Sequence, residues 1–174
     1  MILALDPSST KVGYALMRGP SDLHEAGLLK PGKTKDDAII RIPALAAEVS
    51  ALIAQEKPTE VVIEVSMSSH GHAGQAGART LHVYGMAVGY CWAVAEALMP
   101  GNVATVDANT WTGRVTKATR TQRVARLFPQ YKPDTDRGGD IADAIGLGRY
   151  YLMRMGAPRN GDGVRIEILP AEGR

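Results

Sequence analysis

Asp6 closes the apolar run "ILALD", and Glu64 stands inside "EVVIEV", so each carboxylate lies at or near the end of a segment otherwise apolar enough for the interior of a sheet. A carboxylate left unpaired at the margin of a core costs several kcal/mol or takes up a proton, so two such groups call for cations. Asp140 and Asp143 in "GGDIADA" are three residues apart, which at the start of a helix places both on one side, one turn apart. Taken alone, that pair is also ordinary helix chemistry, because acids in a first turn complement the macrodipole and cap free amides. Together with the two strand-end acids it makes four hard oxygen donors, a set suited to magnesium or manganese. Two such ions about 4 Å apart activate a water and stabilise the leaving oxygen in phosphodiester hydrolysis.

The cations are as unevenly placed as the acids. Net charge is only +2, yet between Asp107 and Asp134 the chain carries Arg114, Lys117, Arg120, Arg123, Arg126 and Lys132 with no acid among them. The first five recur at every third position, a spacing that drifts slowly around a helix and keeps several cations on one broad face. A solvated helix face is the plain alternative, but like charges at such spacing repel without a partner, and nucleic acid would supply one.

These residues must be positioned by one α/β domain. With 174 residues and 45% hydrophobic content, the chain is long enough for a single substantial core and too short for two. Strands are expected at Met1 to Asp6, Lys11 to Arg18, His24 to Leu29, Glu60 to Val65 and Asn102 to Asp107. The turn "PSST" joins the first two, and hydrogen bonding within it explains Ser8, Ser9 and Thr10 more simply than nucleophilic catalysis does. Helices are expected from Asp36 to Gln55, with Ile39, Ile40, Leu45, Val49 and Leu52 apolar, from Arg79 to Met99, from Thr121 to Phe128 and from Asp140 to Arg154. The order βββαβαβαα gives a mixed sheet with helices on its faces, ending near residue 156; residues 157–174, with "VRIEIL", form a tail that could add an edge strand.

Other residues are read more plainly. Lone Cys91 is a buried small hydrophobe, since it has no cysteine with which to form a disulfide or a zinc site. Trp92 is expected in the core, while Trp111 either stacks on a base or closes the core beside a strand end. His70 and His72 lie in the glycine-rich "SMSSHGHAGQAGA", where contact with DNA backbone or exposure to solvent fits better than metal binding. Neither a signal-peptide pattern nor eighteen consecutive apolar residues is present, so a soluble, intracellular protein is expected.

"ILALDPSSTKVGYAL", "VVIEV" and "GGDIADAIGLGRYY" occur in the order and approximate spacing of the RuvC-like Holliday junction resolvases, especially the small phage-type members, within the RNase H-like superfamily. The resemblance covers Ile2 to Tyr151. It implies an RNase H-like mixed β-sheet flanked by helices, and a cytoplasmic endonuclease of bacteria or phage-infected cells that resolves four-way and other branched DNA junctions, leaving 5′-phosphate ends. It puts the metal-binding, catalytic acids on Asp6, Glu64, Asp140 and Asp143, with two Mg2+ per active site and Mn2+ as substitute, and it implies a homodimer. Arg120 in "KATRTQ" best matches a family basic residue, so Arg120 and nearby Lys117 are assigned to phosphate, Arg123 with them; Arg79, His70 and His72 join from the glycine-rich loop and its end. Two departures stand out: Ser66 and Met67 replace an aromatic wedge, leaving Met67 as an apolar substitute, and Thr112 takes the place of another family lysine, whose role falls to Arg114.

Two other readings stay open. A nucleic-acid binder without catalysis would use the basic tract alone, but four carboxylates facing a polyanion would repel it unless cations were bound. The opening motif also resembles the first phosphate loop of actin-like ATP-binding proteins, which need a second such domain that this chain has no room for.

Overall fold

The computed structural model describes residues 1–31, 37–66, 78–113 and 115–155, with side chains omitted at 78–80 and 155. The strands are β1 (Ile2–Pro7), β2 (Val12–Gly19), β3 (Asp22–Leu29), β4 (Glu60–Val65) and β5 (Val103–Asp107). The helices are α1 (Ala38–Glu56), α2 (Ala78–Leu98), α3 (Ala108–Thr112), α4 (Lys117–Leu127) and α5 (Asp140–Met155), with a 3₁₀ turn at Pro133–Thr135.

The strands form one mixed sheet in the order β3-β2-β1-β4-β5. β1, β2 and β3 are antiparallel neighbours, whereas β4 runs parallel to β1 and β5 parallel to β4. Alternation along the strands divides the core in two. Leu3, Leu5, Val61 and Ile63 face one way and pack with Leu45, Val49 and Ile53 of α1 and with Cys91 and Ala95 of α2. Ala4, Val62 and Val106 face the other way and pack with Ala142, Ile145 and Leu147 of α5 and Val124 of α4. Asp6 and Glu64 continue the even-numbered series, so the pleat that buries Ala4 and Val62 aims both carboxylates toward α5.

The structure corrects several expectations. α3 was not anticipated: Asp107 ends β5 and also caps a new helix, its side chain accepting a hydrogen bond from the Asn109 amide at 2.8 Å. The basic helix begins at Lys117 rather than Thr121, because the Thr116 hydroxyl accepts from the Thr119 amide and starts it four residues earlier. On α1 the buried stripe is Arg41, Ile42, Leu45, Ala46, Val49 and Ile53, and Ile39 and Ile40 are exposed. Trp92 is 44% exposed rather than in the core, whereas its neighbour Cys91 is buried as expected. α1 is also long and apolar enough, by length and composition only, to cross a membrane; its buried stripe packs on the sheet and on α2. The tail 157–174 lies outside the described residues.

Candidate active site

β1 and β4 lie side by side in parallel, Leu5 opposite Ile63, so Asp6 and Glu64 emerge as adjacent residues at the same end of the sheet. α5 is brought to that end by contact between backbones. Gly13, opposite Asp6 on β2, has no side chain, and the Asp140 backbone occupies the space a Cβ would need. The first turn of α5 is anchored from below by Asp136. This buried carboxylate accepts hydrogen bonds from the Ala142 amide and the Tyr131 hydroxyl, both at 2.9 Å. Gly139, at φ +68°, supplies the left-handed step into the helix. The Asp143 amide then bonds to the Gly139 carbonyl at 3.0 Å, and Asp140 and Asp143 face the two strand acids.

The turn after Asp6 is held firmly. The Ser8 hydroxyl donates to the Lys11 carbonyl at 2.8 Å, as expected of a turn residue, and the Nε of Arg41, a buried arginine on α1, donates to the Ser9 carbonyl at 2.6 Å. This turn delivers Lys11, whose Nζ pairs with Asp140 Oδ2. From α4, Lys117 Nζ reaches Asp140 Oδ1 at 3.0 Å and Asp143 Oδ2 at 3.1 Å. Arg120 grips Asp143 through both oxygens, at 2.8 and 3.0 Å, and also donates to the Val115 carbonyl. Glu64 accepts from the Trp111 indole at 2.7 Å.

Among the described residues, Asp140 and Asp143 form ion pairs with cations whereas Asp6 and Glu64 do not, and burial acts on Asp6, Glu64 and Asp140 to different net effect. Burial, followed by the charges of Glu64 and Asp143, pushes Asp6 well above the usual carboxylate range. Burial likewise raises Glu64 to about 7, against the lowering effect of the Trp111 hydrogen bond. Burial would also raise Asp140, but hydrogen bonds from Lys11 and Lys117 outweigh it and hold the carboxyl below its ordinary value. Lys117 is held above its ordinary value because Asp140 and Asp143 outweigh its own burial. Tyr84 on α2 senses the same cluster: burial, then Glu64 and Asp6, raise its phenol to about 12.

Asp6 thus lies within electrostatic reach of the other three sequence-predicted acids, and Glu64 within reach of Asp143. Among the described residues, however, no three Asp, Glu, His or Cys groups stand close enough together to hold a metal ion as placed. The donor set is nonetheless suited to a hard divalent cation: four carboxylates, two of them raised by burial and mutual repulsion, which a cation would relieve. Lys117 and Arg120, expected on phosphate, point inward at acids, while Arg123 is exposed on α4. Met67, His70, His72 and Arg114 lie outside the described residues, as does the side chain of Arg79.

Sequence reasoning missed Lys11, Arg41, Asp136 and Tyr84. Asp136 alone left a signal, an acid shortly before a helix start. Of the two readings of Trp111, packing against the core is the observed one, and its bond to Glu64 went unforeseen.

No family model matches the chain. The crossover junction endodeoxyribonuclease RuvC of Salinispora arenicola is 29% identical over 163 residues, covering 89% of either chain. In fold, the chain is similar to Thermus thermophilus RuvC solved in complex with a Holliday junction substrate, with a TM-score of 0.67 at 18% identity over 89% of this chain and 96% of that one. It is also similar to the yeast mitochondrial Holliday junction resolvase Ydc2, with a TM-score of 0.60 at 13% identity over 87% and 77% of the two chains.

Proposed function

From a chain that is RuvC-like in sequence and RNase H-like in fold, we propose a metal-dependent endonuclease that resolves four-way and other branched DNA junctions in the cytoplasm by phosphodiester hydrolysis, leaving 5′-phosphate ends. The observation that carries this reading is the gathering of Asp6, Glu64, Asp140 and Asp143 at one end of the sheet, with Asp6 and Glu64 raised by burial, a cost that a bound cation would relieve. Asp6, Glu64, Asp140 and Asp143 would hold two Mg2+ ions, replaceable by Mn2+, which when bound supply an activated water and charge stabilisation at the leaving oxygen.

The remaining work falls to the chain's own cations. Lys11 and Lys117 keep Asp140 ionised, Lys117 and Arg120 orient Asp143, and Lys117, the most exposed of the three cations, can turn from carboxylate to DNA phosphate. Arg123 extends the phosphate track along α4, and Arg79, His70, His72 and Arg114 take the DNA contacts assigned by resemblance, with Met67 as wedge. A labelled four-way junction should be cut in Mg2+ and left intact in chelator, whereas linear duplex should survive both. Binding of the junction without cutting in either condition would favour a non-catalytic binder.

The homodimer has a candidate surface. Leu81, Gly85, Gly89 and Trp92 fall on one exposed side of α2, and a Cβ at either glycine would meet nothing within 4 Å. Small residues spaced four apart and flanked by large apolar ones let a second helix approach closely, and a second copy of α2 offers the matching side across a two-fold axis. Trp92→Glu is expected to shift the protein from dimer to monomer in sedimentation and to abolish paired nicking. A Trp92→Glu protein that still sediments as the parent dimer would place the interface elsewhere.

A further inference from the structure

Trp111 joins the two halves of the acid cluster. Its Nε1–H donates to Glu64 Oε2 at 2.7 Å, and its ring centre lies 5.4 Å from the guanidinium carbon of Arg120, which grips both oxygens of Asp143. The surroundings are shaped to the indole. Asp107 caps α3, the Thr112 hydroxyl donates to the Ala108 carbonyl at 2.6 Å, and Gly146 of α5 leaves room for the ring, since a Cβ there would lie 2.8 Å from it. An indole nitrogen only donates, and its ring has few rotamers, so it fixes a carboxylate oxygen without ever replacing it as a ligand.

A carboxylate with one oxygen so engaged has the other, Oε1, to offer a cation. Mg2+ demands near-ideal octahedral geometry and takes few carboxylates, whereas Ca2+ accepts flexible geometry and both oxygens of one carboxylate. We propose that Trp111 is a positioning residue that locks Glu64 through Oε2 and confines it to one cation-directed oxygen, favouring Mg2+ over Ca2+. The inference rests on the metal-site reading above. It goes beyond that reading by assigning metal choice to a residue that touches no metal.

The test is calorimetric titration of the full-length protein with Mg2+ and with Ca2+, for the parent, Trp111→Phe and Glu64→Gln. Trp111→Phe removes the donor and keeps an aromatic ring beside Arg120. Its Mg2+ affinity is expected to fall about tenfold or more, as when the hydrogen-bond partner of a metal ligand is removed. Ca2+ affinity is expected to fall less, so the ratio between the two ions narrows. Gly146→Ala should narrow the ratio as well, by pushing the ring from behind while leaving Glu64 unaltered, which guards against a folding defect peculiar to Trp111→Phe. Equal weakening for both ions in both variants would reduce Trp111 to packing and overturn the proposal, as would unchanged affinities. A parent that binds neither ion, or a Glu64→Gln protein that binds as tightly as the parent, would instead sink the metal site itself, and this inference with it.

Discussion

Asp6→Asn and Asp143→Asn are each expected to abolish junction cleavage in Mg2+, by about a thousandfold or more, while moving stability in opposite directions. The common loss follows from the chemistry proposed for the cluster. A bound metal contributes several kcal/mol of charge stabilisation in the transition state, and each 1.4 kcal/mol or so is a factor of ten in rate. The divergence in stability follows from what surrounds each acid. Asp6 is buried among other acids, raised by burial and then by Glu64 and Asp143, so without metal near neutral pH folding must either protonate it or bury its charge, and Asn, which avoids that cost, raises the melting temperature measured in chelator. Asp143 is 5% exposed and gripped by Arg120 and Lys117, so its amide leaves two cations facing a lost partner. Removing one member of a buried pair typically costs about 3–5 kcal/mol, which the partial exposure of Lys117 will reduce. Both proteins should still bind a four-way junction in chelator. Cleavage at the parental rate by either variant would show that the acid concerned holds no catalytic metal.

The sheet and the acids were legible because they obey short-range rules. Apolar, β-branched runs placed Asp6 and Glu64 on strands, β4 with the expected bounds and β1 running one residue further, to Pro7, and the three-residue spacing placed Asp140 and Asp143 on one helix face. What was not legible depends on which residues meet across the fold. Nothing in "SSTK" reveals that Lys11 will pair with Asp140, 129 positions later by simple subtraction of their numbers, because that contact is made by the approach of α5 to β2. Arg41 sits within an apolar stripe and reads as an intrusion until the Ser9 carbonyl is found at 2.6 Å. The basic tract was correctly seen as a helix lacking acids of its own, but its inner face turned out to neutralise the acids of α5 rather than face solvent or phosphate throughout. Trp92 was misread because an apolar helix flanked by glycines carries the same composition whether its second side meets the protein's own core or a partner.

Gly13→Ala is the smallest change expected to dismantle the site. At Gly13 an added Cβ would stand 2.7 Å from the carbonyl carbon of Asp140 and closer still to its oxygen. Both are backbone atoms at the start of α5, so no flexible side chain can swing away, and the helix itself must retreat from the sheet. Overpacking of this kind costs about 1–3 kcal/mol in a core, and the upper end is expected here because the obstructing atoms are main chain. Catalysis should suffer more than stability. Retreat of α5 carries Asp140 and Asp143 away from Asp6 and Glu64, and a misplacement of about 1 Å can cost a hundredfold in rate. Gly19→Ala is the control, because its Cβ would meet only the Cβ of Asp22, at an ordinary 3.7 Å, at the far end of β2. Thermal melts and Mg2+-dependent junction cleavage on the two proteins should therefore separate cleanly, with Gly19→Ala near the parent in both and Gly13→Ala destabilised and nearly inactive. A Gly13→Ala protein with parental melting and cleavage would mean that α5 does not seat against β2, and the convergence of the four carboxylates would lose its structural basis.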